Sequence, residues 1–90
     1  MKHPIEKVEY TSHFLSLWKK LPKELHVEVL EREKIFRKDC FDSRLTTHKL
    51  HGRHKDLWSF SITHKHRILF RFVTENTVEF IAVGDHSVYQ

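Results

Sequence analysis

The spacing of apolar residues changes near residue 57: before it they recur with a helical period, and after it they alternate. Phe14, Leu17, Trp18 and Leu21 stand at i, i+3, i+4 and i+7, which is one apolar stripe on a helix. Thr11 or Ser12 sits just ahead of the stripe, and either hydroxyl can accept a first-turn N–H that has no partner inside the helix. Pro22 stops this helix and suits the first turn of the next. Residues 23–38 form a second helix, with Leu25, Val29 and Phe36 on one side and charges filling the rest. The short break predicts a helical hairpin. Upstream, residues 5–10 (IEKVEY) read as a short strand with Val8 and Tyr10 on one face.

Residues 39–56 carry no clear periodicity and read as a loop with Gly52 near its middle. Beyond it Trp58, Phe60 and Ile62 alternate with Ser59, Ser61 and Thr63, and His64-Lys65 turns the chain. Ile68, Phe70 and Phe72 alternate with Arg67, Leu69, Arg71 and Val73; Glu75-Asn76 makes a second turn. Val78, Phe80 and Ala82 alternate with Glu79, Ile81 and Val83, and Gly84 ends the run. Three strands joined by short turns are an antiparallel meander. The order β-α-α-β-β-β predicts an α+β fold: a small antiparallel sheet with an N-terminal strand and the helical hairpin on one face. Residues 1–90 form one domain, and Trp18 and Trp58 lie on apolar stripes as core. The middle strand has one apolar face, while Arg67 and Arg71 share the other. Two arginines there are costly unless that face meets water or a ligand, or unless they pair with Glu79 and other acids.

Composition narrows the class. A hydrophobic share of 39% with 31% charged residues describes a soluble globular chain. No apolar run approaches the ~18 residues of a membrane span. The start, MKHPIEKVEY, lacks the apolar stretch of a signal peptide. One cysteine, Cys40, forms no internal disulfide, so the expected setting is cytoplasmic and reduced.

Charge changes the picture more. The formal net charge is +4, but residues 48–71 alone carry +5 and residues 72–90 carry −3. Five of the nine histidines fall within that basic strip: His48, His51, His54, His64 and His66. A local basic footprint suits a polyanion, and histidine is the side chain that changes charge near neutral pH. Together they point to phosphodiester chemistry. The spacing of His48, His51 and His54 admits a zinc reading, but no helix places them on one face and no thiol stands near. No metal or cofactor is expected.

The stretches HKLHG, LWSFSI, HKHRILFRF and VEFIAVGDHSVY, in this order and over nearly the whole chain, resemble the RelE/ParE toxin superfamily. RelE and YafQ-like members come nearest. The resemblance implies the toxin of a bacterial type II toxin–antitoxin pair, an endoribonuclease that cuts messenger RNA on the ribosome. It implies an acidic antitoxin as partner. By position it implies that His48 matches a base, Arg67 the clamp on the scissile phosphate, His86 a C-terminal proton carrier and Tyr89 the C-terminal aromatic. Relatives with further basic residues in the first meander strand would place them near Phe60 and Ser61, and His66 stands where YafQ-like members carry aspartate.

Metal-free RNA cleavage uses the neighbouring 2′-OH as nucleophile, so a base, a charge stabiliser and an acid are needed. His48 and His86 fill the base and acid roles in either order, with Arg67 on the phosphate. Lys49, His51, Arg53, Lys55, Lys65 and Arg71 are assigned to RNA contacts, which give affinity without reading sequence. Tyr89 either stacks on a base or anchors the chain end. His64 and His66 flank a turn, and His3, His13 and His26 are expected at the surface. Two rival readings share the fold: a ParE-like inhibitor that binds DNA gyrase and cuts nothing, and a non-catalytic subunit of a repressing antitoxin complex.

Overall fold

The computed structural model describes residues 1–85 and Val88. Two helices, α1 (Ser12–Lys20) and α2 (Lys23–Lys38), follow strand β1 (Lys7–Tyr10). Two single 3₁₀ turns, Ser43–Leu45 and Gly52–His54, flank β2 (His48–Lys49). The meander is β3 (Trp58–Ser61), β4 (Arg67–Thr74) and β5 (Thr77–Gly84). The five strands form one sheet in the order β1-β5-β4-β3-β2. The expected element order therefore holds. Two differences stand out: residues 39–56 contribute an edge strand, and β1 pairs with β5 in parallel, so the sheet is mixed.

Thr11 is the cap of α1, accepting from the Phe14 N–H at 3.0 Å. Its hydroxyl also reaches the carbonyls of Phe80 (3.1 Å) and Ile81 (3.2 Å), which fastens the helix start to β5. Pro22 caps α2 from just outside, in extended backbone, so the chain reverses without a long loop. The hairpin rests on one face of the sheet. Phe36 of α2 is fully buried; it stacks on Phe60 at 4.5 Å and meets Phe70 at 5.0 Å and Phe80 at 5.6 Å edge-to-face, one ring from each meander strand. Ile62, Ile68, Val29, Val78 and Leu45 complete this core, and Trp18 and Trp58 pack against its rim.

The alternation along β5 breaks once. Leu69 pairs with Ala82 but Phe70 pairs with Phe80, leaving Ile81 as a bulge. The bulge reverses the phase: Val83 turns into the helix-side core and Ala82 onto the opposite face, whereas simple alternation puts them the other way round. His3 and His26 are also more enclosed than a surface position implies. His26 stacks on Trp18 at 4.0 Å and bonds its carbonyl at 2.7 Å, bracing the hairpin; His3 bonds the Glu75 carbonyl at 2.6 Å. Burial pushes the Cys40 thiol up to about 12, so it is a packing residue and not a nucleophile.

Candidate functional site: the open face of the sheet

The helices pack on one face of the sheet; the other, the open face, carries no helix, but its centre (Ser59, Leu69 and Ala82) is buried, with His48 exposed and Arg67 half-buried on it. Register places His48 of β2 beside Ser59 of β3, then Leu69 of β4, then Ala82 of β5. The row one step along is Ser61, Arg67 and Gly84. His48 and Arg67 therefore share the open face two strands apart, about 10 Å across the sheet. Lys49 alternates to the other side, where it pairs with Trp58.

A hydrogen-bonded chain links the two groups. Arg67 Nη1 donates to Ser61 Oγ at 2.7 Å. Ser61 Oγ and Thr46 Oγ1 are 2.7 Å apart, and Thr46 Oγ1 donates to the Leu45 carbonyl at 2.7 Å. Each hydroxyl has one proton. Thr46 uses its own on Leu45, so Ser61 donates to Thr46 and accepts from Arg67. The carbonyl of the same Thr46 meets His48 Nδ1 at 3.0 Å. A carbonyl only accepts, so Nδ1 carries the hydrogen and Nε2 of the neutral ring keeps its lone pair. That is the tautomer a general base needs, on an exposed side chain.

The two open-face arginines have different surroundings. Arg71 Nε donates to Glu79 Oε1 at 2.7 Å, so its charge is matched within the protein. None of the salt bridges among the described residues involves Arg67, which donates instead to a neutral hydroxyl. With His64, Lys65 and Asp85, Arg67 lines a cleft of about 420 Å³. His66 Nδ1 lies 3.0 Å from the Thr63 hydroxyl in the β3–β4 turn, a local structural bond.

His51, Arg53 and Lys55 are exposed on and around the second 3₁₀ turn, His54 is half-buried there, and Lys65 is exposed on the β3–β4 turn. Gly52 adopts φ +71°, which its missing Cβ permits. The predicted proton carrier His86 and the C-terminal aromatic Tyr89 lie outside the described residues. Gly84 lies close to Val88: a Cβ on it would stand 2.7 Å from Val88 Cγ1. Among the described residues no group of three His, Cys, Asp or Glu side chains is placed to hold a metal ion. No described helix is long and apolar enough to cross a membrane.

Sequence reasoning missed Ser61 and Thr46. Small hydroxyl residues carry no signal of their own until strand register and a turn bring them together.

No protein-family model matches the chain, and no curated protein matches it in sequence. Solved structures do. A chain of the RelBE2 toxin–antitoxin complex from Mycobacterium tuberculosis superposes with a TM-score of 0.78 at 19% identity, over 96% of this chain and 97% of that one. YafQ from Escherichia coli gives 0.68 at 14% identity, over 91% and 94%. The archaeal RelE–RelB complex of Pyrococcus horikoshii gives 0.69 at 16% identity, over 94% and 96%. The chain has the fold that the RelE and YafQ toxins share.

Proposed function

We propose that the chain is the toxin of a type II toxin–antitoxin pair, and that it is a metal-independent endoribonuclease cutting messenger RNA, ribosome-bound in the cell. The observation that carries this reading is the chain from Arg67 through Ser61 and Thr46 to His48. It puts an arginine outside the salt bridges of the described residues and a histidine with a fixed Nδ1 hydrogen on one open face, within the span of a nucleotide. His48 Nε2 takes the proton from the 2′-OH. The 2′ oxygen attacks phosphorus, Arg67 balances the growing negative charge, and the 5′ oxygen leaves as a proton reaches it. His86 supplies that proton, or exchanges roles with His48, and Tyr89 supports the substrate beside it.

His51, Arg53, Lys55 and Lys65 grip the RNA backbone from the exposed strip, with Lys49 at the sheet edge. Arg71 contributes less, because Glu79 already holds it. The partner is an acidic antitoxin complementary to that strip, and the setting is the cytoplasm. Complexes named for toxin and antitoxin among the structural neighbours support the partner reading.

The test is mRNA cleavage in a translating extract by the wild type, His48→Ala and His86→Ala. Cleavage by the wild type with a loss of at least a hundredfold in each variant supports the reading. Full cleavage by both variants refutes the mechanism. Intact mRNA together with blocked gyrase supercoiling selects the ParE-like inhibitor instead.

A further inference from the structure

Thr46 is the one non-glycine residue with a positive φ among the described residues, at φ 48° and ψ 43°. This left-handed region is unfavourable for L-residues and most unfavourable for β-branched ones; glycine or asparagine is the ordinary occupant of such a turn end. The fold nevertheless forces Thr46 into it. Leu45, just before, is completely buried in the helix-side core. Asp42 closes the turn from the other end, accepting from the Arg44 N–H at 2.9 Å, and the Thr46 N–H bonds the Ser43 carbonyl at 3.3 Å. A strained β-branched residue held this firmly, with two groups aimed at the open face, calls for a role that glycine would not fill.

We infer that Thr46 is a positioning residue, which uses its hydroxyl to steer Arg67 and its carbonyl to fix the His48 tautomer. The inference rests on the ribonuclease reading and adds to it a residue that touches no substrate. The hydroxyl accepts from Ser61, which fixes the direction of the Ser61 proton and leaves that oxygen to accept from Arg67. The carbonyl, turned by the left-handed backbone, takes the His48 Nδ1 hydrogen. One residue thereby ties the height of the clamp to the orientation of the base. Misplacing a reacting group by about 1 Å costs on the order of 10²-fold in rate.

Three variants separate this role from simple turn capping. Thr46→Val keeps the shape and removes the hydroxyl; Thr46→Gly relieves the backbone and removes it; Thr46→Ser keeps it. The expected result is a fall of roughly tenfold to a hundredfold in kcat for Val and Gly, with KM within about threefold, and recovery by Ser to within about threefold. Thr46→Gly should fold with a melting temperature near that of the wild type, so lost activity is not lost structure. Nitrogen-15 shifts of the His48 ring give a readout independent of turnover. The carbonyl survives every side-chain substitution, so the wild type and Thr46→Gly should both show a single Nδ1–H tautomer. If the wild type and His48→Ala behave as nuclease and dead variant while Thr46→Val and Thr46→Gly keep full kcat, the Thr46 role is wrong and the nuclease reading stands. If the wild type cuts no RNA, the nuclease reading fails. An Nε2–H tautomer or a mixture at the His48 ring of the wild type overturns the tautomer role whatever the activity.

Discussion

Arg67 and Arg71 lie four residues apart on one strand and on the same face, yet glutamine should affect them very differently. Arg67 spends one of its five N–H groups on Ser61 and has no salt bridge among the described residues; on the proposed reading its charge and remaining donors meet a phosphate. A positioned donor that meets developing charge is worth about 3–4 kcal/mol of barrier, or 10²–10³ in rate. Arg67→Gln should therefore lower kcat/KM for RNA cleavage by about 10²–10³. Its stability cost is one hydrogen bond, about 1 kcal/mol, which shifts the melting temperature by roughly 4–8 °C in a domain of this size. Arg71 is matched by Glu79 at 2.7 Å with the arginine side chain 50% exposed. An ion pair so exposed contributes about 1 kcal/mol or less. Arg71→Gln should keep cleavage within about threefold. Single-turnover cleavage of a short RNA, with thermal melts in parallel, measures both. Equal losses at the two positions, or an Arg67→Gln variant above a tenth of wild-type activity, would refute the assignment of the clamp from its pairing.

Three further outcomes follow from the packing and the charges. Phe36→Ala removes the ring shared by Phe60, Phe70 and Phe80 and should destabilise the fold by about 3–5 kcal/mol in denaturant unfolding; a loss under about 1 kcal/mol would show that the core closes without it. The Arg44 side chain, and then its backbone N–H, hold Asp42 below the ordinary carboxylate value of 3.8. A depressed folded pKa means that this stabilisation is fully present above that value and is lost as pH falls below it. The melting-temperature gap between wild type and Asp42→Asn should accordingly be present at pH 7 and shrink below pH 3.8; a gap that widens in acid would reverse the assigned sign. Replacing both Arg53 and Lys55 with glutamine should weaken binding to any single-stranded RNA and reduce the salt slope, by about 0.7 for each phosphate that is no longer neutralised. A change in sequence preference at constant slope would contradict a backbone grip.

Much of the frame was legible in the chain because its patterns are local. The second helix spans Lys23–Lys38, where its charges and apolar stripe put it, and the meander turns fall where polar pairs interrupt alternation. Non-local features were not legible. The parallel pairing of β1 with β5 depends on where the hairpin returns the chain, which spacing does not encode. The Ile81 bulge replaces one step of a regular alternation, and only the partner strand reveals it. Two-residue β2 is too short to show a period, although it carries His48. Spacing alone left open which of Arg67 and Arg71 pairs with Glu79, and register places Glu79 opposite Arg71. Thr46 had no signature at all, because an unusual φ in a β-branched residue follows from its anchored neighbours.

The proposed cleavage of RNA, through the neighbouring 2′-OH and without a metal ion, would leave a chemical signature on the new ends. The most direct measurement is to incubate the purified protein with a defined RNA, on and off ribosomes, in excess chelator, and to identify those ends. A 2′,3′-cyclic phosphate upstream and a 5′-hydroxyl downstream are expected, with no product when the 2′-OH at the cleavage site is replaced by hydrogen. A 5′-phosphate end, a requirement for a divalent ion, or undiminished cutting of the 2′-deoxy substrate would contradict the proposed chemistry.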